Sequence, residues 1–258
     1  KRLFVMPNKK VNASTKVRKQ KNPKGWSFKR IFLFLFLLGC GYLALEFLFL
    51  PTGKELITGN PTSTAMIEAR KKDALNQGKA FEPKQTWQPI NQISTNLVKA
   101  VLAGEDSRFF QHNGFDTEEL KKAIQKDWEE GRFVRGASTL SQQLAKNLYL
   151  SESKNPIRKV KEAAITYYLE KNLGKKRLLE VYLNVIEWGD GVFGAEAAAR
   201  RYFGKSISEV STSEAAYLAA MIPNPRTVYN PSKNPKKVAR RQNLILKRMT
   251  AVKLPKGW

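Results

Sequence analysis

The stretch "RGASTLSQQLAKN", Arg135–Asn147, decides the fold. Thr139 followed three residues later by Gln142 is the pattern of a capping box, which predicts that a helix starts here. Leu140, Leu144 and Leu148 then recur at i, i+4 and i+8 and predict a stripe turned to the core. Ser138, Gln142 and Lys146 repeat the same spacing across from the leucines. A solvated helix face is ordinarily built from Glu and Lys. Neutral amides with a single Lys suit hydrogen bonds to a polar ligand that carries one anionic group. An amphipathic helix with a plain polar exterior gives the same pattern, so the neighbouring segments have to decide between the two.

The segment before it, "VLAGEDSRFFQHNGFD" (Val101–Asp116), follows a helical run in which Ile93, Leu97, Val101 and Leu102 share a face. Continued, that helix brings Glu105 out of the apolar face. Desolvation there raises a carboxyl pKa, which suits a general base. A solvated helix end is the alternative, although acids are unfavourable at a helix C-terminus. Asp106 is expected to point elsewhere, to bind a cation or to hold a loop. Phe109 and Phe110 read as packing residues and His112 as a structural hydrogen-bonder. "TEELKKAIQKDWEEG" opens with Thr117 as the expected cap. Further on, Arg158 and Glu162 stand at i, i+4, which is either a surface ion pair or a polar cluster in a cleft. Three glycines between Asn184 and Gly194 predict a turn, and "AEAAARRYF" resumes a helix. "SEAAYLAAMIPNP" predicts a helix from Ser213 that stops at Pro223, and "NPKKVARRQNLILKRM" a final amphipathic one. Alternating Val, Ile and Thr are scarce, so the domain is expected to be all-α.

The first half of the chain is organised by charge. Lys1–Arg30 holds eleven Lys or Arg and no acid, too polar to fold alone. "IFLFLFLLGCGYLALEFLFL", Ile31–Leu50, then runs for twenty residues with one acid, Glu46. At helical rise that is roughly the 30 Å of a bilayer core. The basic arm before it predicts a cytoplasmic N-terminus, with everything after Pro51 outside. Subtracting those eleven charges from the net +24 leaves +13 on the remaining residues, which fits an anionic lipid substrate or adhesion to a membrane. With the arm assigned to anionic lipid, no nucleic-acid partner is expected. A single cysteine, Cys40, excludes an internal disulfide, and a single histidine excludes a multi-His metal site. The expected organisation is a basic cytoplasmic arm (1–30), a transmembrane helix (31–50), a connector (51–89) with one helix near Ala65–Leu75, and a helical domain (90–258).

Four ordered segments, "EDSRFFQH", "GASTLSQQLAKN", "RKVKE" and "KKRLLEVYLN", closely resemble the signatures of the peptidoglycan glycosyltransferases, EDxxFxxHxG, GxSTxxQQxxKN, RKxxE and KxxILxxYLN. The last helix, with Arg241, Ile245, Leu246 and Met249, resembles a fifth. The likeness covers Ile90 to Met249, and "EWGDGVFGAEAAARRYF" resembles the monofunctional branch, without a penicillin-binding domain. Leu178, where the family favours Ile, is a conservative departure. "SESK" (Ser151–Lys154) and "SKN" at Ser232 imitate transpeptidase motifs by chance, with no KTG to accompany them.

The resemblance implies a lysozyme-like, two-lobed fold whose smaller lobe dips into the membrane, with Phe109, Phe110, Phe115, Trp128 and Phe133 available for lipid. It implies a bacterial inner-membrane glycosyltransferase that adds the growing glycan strand to lipid II. Glu105 and Glu162 would be catalytic. Lys146, Arg158, Ser138, Gln142, Gln143, Asn147 and Lys159 would bind sugar or pyrophosphate, and Asp106 would serve a metal or the structure. A divalent cation, Mg or Mn, would fit beside the phosphates. Cell-wall synthesis or division proteins are expected partners. A muramidase or lytic transglycosylase is the rival, since it too uses an acid in a lysozyme-like cleft.

Overall fold

Phe28–Leu48 forms one unbroken helix, α1, of 21 residues. Its most apolar window has a mean hydropathy of 2.3, long and apolar enough to cross a bilayer. The computed structural model describes residues 28–131, 138–150 and 155–258. The arm before Phe28, Phe133 and the "SESK" tetrapeptide therefore lie outside the described residues. The chain divides into two units, the second being Phe49–Trp258.

Within the second unit the elements are α2 (Ala65–Asn76), β1 (Lys84–Gln85), α3 (Thr95–Glu105), α4 (Thr117–Glu130), α5 (Leu140–Tyr149), α6 (Pro156–Asn172), α7 (Lys175–Val185), β2 (Glu187–Gly189), β3 (Val192–Phe193), α8 (Ala195–Phe203), α9 (Thr212–Met221) and α10 (Pro235–Met249). The unit is helical as expected. A small sheet of order β1-β3-β2 is added, with β1 parallel and β2 antiparallel to β3. It grows from the glycine-rich turn. Gly194 has φ +78°, and a Cβ there would lie 2.7 Å from the Asn184 carbonyl oxygen, so only glycine lets the hairpin close onto α7.

The core is one cluster around α3, where Leu97, Val98, Ala100, Val101 and Leu102 are all buried. α3 packs on α9 and α10. The small residues Ala215, Ala216, Ala219 and Ala220 of α9 are buried and permit close helix approach. α5 packs on α6 and α7. Its leucines 140, 144 and 148 are buried, each contributing about 1.5–3 kcal/mol by removal from water. The capping box forms as predicted: Thr139 Oγ1 accepts from Gln142 N, and Gln142 Oε1 accepts from Thr139 N at 3.0 Å. The segment from Pro51 to Pro89 is knitted to the rest. Arg177 donates to the Leu56 carbonyl (2.8 Å) and the Gly59 carbonyl (2.6 Å). Asn184 donates to the Gln88 carbonyl and accepts its N–H, each at 2.8 Å.

Two expectations need correction. Asp116, not Thr117, caps α4, because its carboxylate accepts both Glu118 N and Glu119 N and thereby satisfies two of the orphan donors of the first turn. Phe109 is not available for lipid: it is 1% exposed, packed against Phe110 and under the Lys175 ammonium. Phe110 is half-buried against Trp258. Of the expected lipid-facing residues, Phe115 and Trp128 are exposed, the latter on α4, which has no buried residue. There Leu120, Ile124 and Trp128 follow at i, i+4 and i+8 on one face, and Trp128 is 89% exposed.

Candidate active site

α3 ends on Glu105, and the chain then leaves the helix at Asp106 with extended φ. The two neighbouring acids consequently face different groups. Asp106 Oδ2 accepts the backbone N–H of Leu140 at 3.0 Å, and the carboxylate meets His112 Nε2 at 3.0 and 3.1 Å. Asp106 thus fastens the first helical residue of α5 to the end of α3, and His112 orients Asp106. Thr139 Oγ1 adds a bond to the Gly114 carbonyl at 2.7 Å. Through these bonds the turn after α3 and the start of α5 form one piece.

Glu105 is held on both oxygens. Arg241 Nη2, on α10, lies 2.7 Å from Oε1. Gln143 Nε2, on α5, donates to Oε2 at 2.9 Å, and Gln143 Oε1 accepts from the Tyr182 hydroxyl at 3.0 Å. The Glu105 side chain is 8% exposed. Burial pushes its carboxyl above the ordinary 4.5, while Arg241 and Gln143 pull the other way without cancelling the shift. A pocket opens on the same carboxylate, lined also by Asp106, Asp116, Glu119, Ser138 and Arg248. A buried, fixed, proton-seeking carboxylate at the wall of a pocket is the equipment of a general base.

The other candidates sort by helix. Ser138 lies at the pocket with Glu105. Gln143 touches Glu105 directly. Gln142 commits its side-chain oxygen to the capping box. Lys146 and Asn147 stand one turn beyond Gln143 on α5, with Asn147 buried. Arg158, Lys159 and Glu162 form a second cluster in the first two turns of α6. Glu162 is buried and pairs with Arg158 Nη1 at 3.5 Å and with the Lys159 ammonium. α6 packs along α5, which sets this cationic group beside the helix that bears Lys146.

Asp106, His112 and Asp116 offer ligand atoms within 4.8 Å of one another, the natural place to test for a cation. The fit is poor. Asp106 already serves Leu140 and His112, Asp116 caps α4, and the Arg108 guanidinium stands 3.4 Å from Asp116. Glu162 faces two cations of the chain itself.

Sequence reasoning placed Arg241 and Tyr182 inside matching segments without a role for either. Their link to Glu105 spans 136 positions for Arg241, and no local pattern encodes it. The signal that was present is their type: an arginine and a tyrosine interrupting apolar helix faces.

A family model described as Transglycosylase matches residues 71–250. The biosynthetic peptidoglycan transglycosylase of Nitrosospira multiformis is 47% identical over 196 residues, covering 76% of this chain and 85% of that protein. Its counterparts in Dechloromonas aromatica and Chromobacterium violaceum are also 47% identical over 196 residues, covering 76% of this chain and 84% and 86% of their own lengths.

Proposed function

This chain belongs to the transglycosylase family, and from that membership we propose that it polymerises peptidoglycan by transferring a growing strand from its polyprenyl pyrophosphate to the sugar 4-hydroxyl of lipid II. The chain is a glycosyltransferase of peptidoglycan synthesis; the donor, acceptor and stereochemistry are our reading. The observation that carries it is Glu105: a carboxylate with a raised pKa, held by two donors, at the wall of a pocket.

The steps follow from ordinary chemistry. A sugar hydroxyl is a poor nucleophile until a base takes its proton in the transition state, and Glu105 is that base. The C–O bond to the pyrophosphate breaks as the new glycosidic bond forms, and the leaving diphosphate gains charge. Arg158, Lys159 and Lys146 meet that charge, with Glu162 holding the first two in place. Attack from the face opposite the leaving group inverts an α-linked donor into a β-1,4 bond. α1 serves as the anchor in the bacterial inner membrane, with Phe49–Trp258 on the outer side, and the Leu120–Ile124–Trp128 face of α4 meets lipid. Wall-synthesis or division proteins are the partners that such a placement offers.

Incubating the purified chain with labelled lipid II, followed by gel separation, tests the proposal. A ladder of lipid-linked glycan is expected, and finished lipid-free glycan should be left intact. Shortening of finished glycan with no ladder would replace the proposal with a muramidase or lytic activity.

A further inference from the structure

We infer that Arg241 on α10 and Tyr182 on α7, the latter acting through Gln143, are positioning residues that fix the plane of the Glu105 carboxylate and leave its pocket edge to the acceptor hydroxyl. The inference rests on the reading of Glu105 as the base.

The two restraints act on different oxygens from different helices. Arg241 Nη2 bridges Glu105 Oε1 at 2.7 Å and the Gly104 carbonyl at 3.0 Å, so the guanidinium holds the side chain and the backbone that carries it. Its plane lies over the Tyr229 ring, 5.5 Å from the centroid, which restricts its swing. Gly104 makes the approach feasible. A Cβ there would stand 3.0 Å from Ile245 Cδ1 and 3.8 Å from Arg241 Nη2, so a side chain at this position would press on the end of the Ile245 side chain beside the guanidinium.

The second restraint concerns an amide. A glutamine side chain can turn over and exchange its oxygen for its nitrogen. Here the Tyr182 hydroxyl donates to Gln143 Oε1, and burial keeps that hydroxyl protonated by raising it well above 10.0. Only with Oε1 toward Tyr182 does Gln143 present a donor to Glu105 Oε2. Tyr182 therefore sets which end of the amide the carboxylate meets. Each carboxylate oxygen keeps a lone pair beyond the one it gives to its donor, and Glu105 is one of the residues that line the pocket.

The charged and titratable groups around Glu105 are Arg241 and Arg248 from α10, Asp106 from its own chain segment, Tyr182 from α7, and Asp116 and Glu119 at the start of α4. Arg241 is the one cation bonded to the carboxylate among the described residues.

The test is polymerisation of labelled lipid II by the full chain in detergent, with kcat and KM measured from acidic to neutral pH. Arg241→Gln should lower kcat about tenfold or more and move the acidic limb of the profile to higher pH, because the cation that favours ionised Glu105 is gone. Arg241→Lys keeps the charge and loses the fork, so kcat should fall while the limb stays in place. Tyr182→Phe should lower kcat several-fold with KM and melting temperature close to wild type. A merely structural role would not produce this contrast between Lys and Gln in the pH profile. Wild-type kcat and acidic limb in Arg241→Lys and Tyr182→Phe, beside an inactive Glu105→Gln, would overturn the inference and leave the base assignment standing. An active Glu105→Gln would overturn the base assignment itself.

Discussion

Glu105 and Glu162 are both buried carboxylates near the ends of helices, and they keep opposite company. Glu105 closes α3 at its C-terminus, where the helix dipole opposes negative charge. Its donors are one guanidinium and one neutral amide, and burial outweighs them. Glu162 sits in the second turn of α6 with a guanidinium and an ammonium on it, Lys159 being 55% exposed. The difference separates two kinds of work. A carboxylate poorly compensated in a low-dielectric site seeks a proton. One paired with two cations organises those cations for a further anion.

Four substitutions test this contrast. Glu105→Gln should reduce lipid II polymerisation about a thousandfold and leave a folded protein. It should also change how stability depends on pH. Because the folded-state pKa of Glu105 lies above its unfolded value, its proton favours the fold below the unfolded value, and that contribution is lost as pH rises through the folded value. Thermal melts across acidic to neutral pH should show this slope in wild type and its absence in the Gln variant. Arg158→Ala should cost about a hundredfold in kcat/KM, with no movement of the acidic limb, since Arg158 is not among the groups that shift Glu105. Glu162→Gln should cost about tenfold, since both cations remain but lose their common anchor, and its kcat should drop more than its affinity for lipid II. Lys159→Ala should have the smallest effect, about twofold, disappearing in high salt because so exposed a charge is screened.

The parts of this molecule that the sequence announces are those written at short range. Thr139 and Gln142 specify a capping box within four residues, and the leucines of α5 specify their buried face by spacing. α2 and the turn of Asn184–Gly194 are similarly local. The emergence of Glu105 from an apolar face was readable because α3 is continuous to that residue. What was not readable depends on partners far along the chain. Arg241, Tyr182 and the parallel pairing of β1 with β3 all require the tertiary fold to exist first. The Thr117 expectation failed at closer range, between two adjacent capping types, where the Asp116 carboxylate takes two N–H groups at once. Phe109 shows that an aromatic between two motifs is as readily a core residue as a lipid-facing one.

The bond between Glu105 and Arg241 also joins two segments that leave the ribosome at different times, 136 positions apart. A ribosome releases α3 long before α10, and domains begin to fold from the end that emerges first. Until residue 241 has cleared the exit tunnel, Glu105 can meet Gln143 but not Arg241. The set of partners around Glu105 is therefore complete only once α10 has been made.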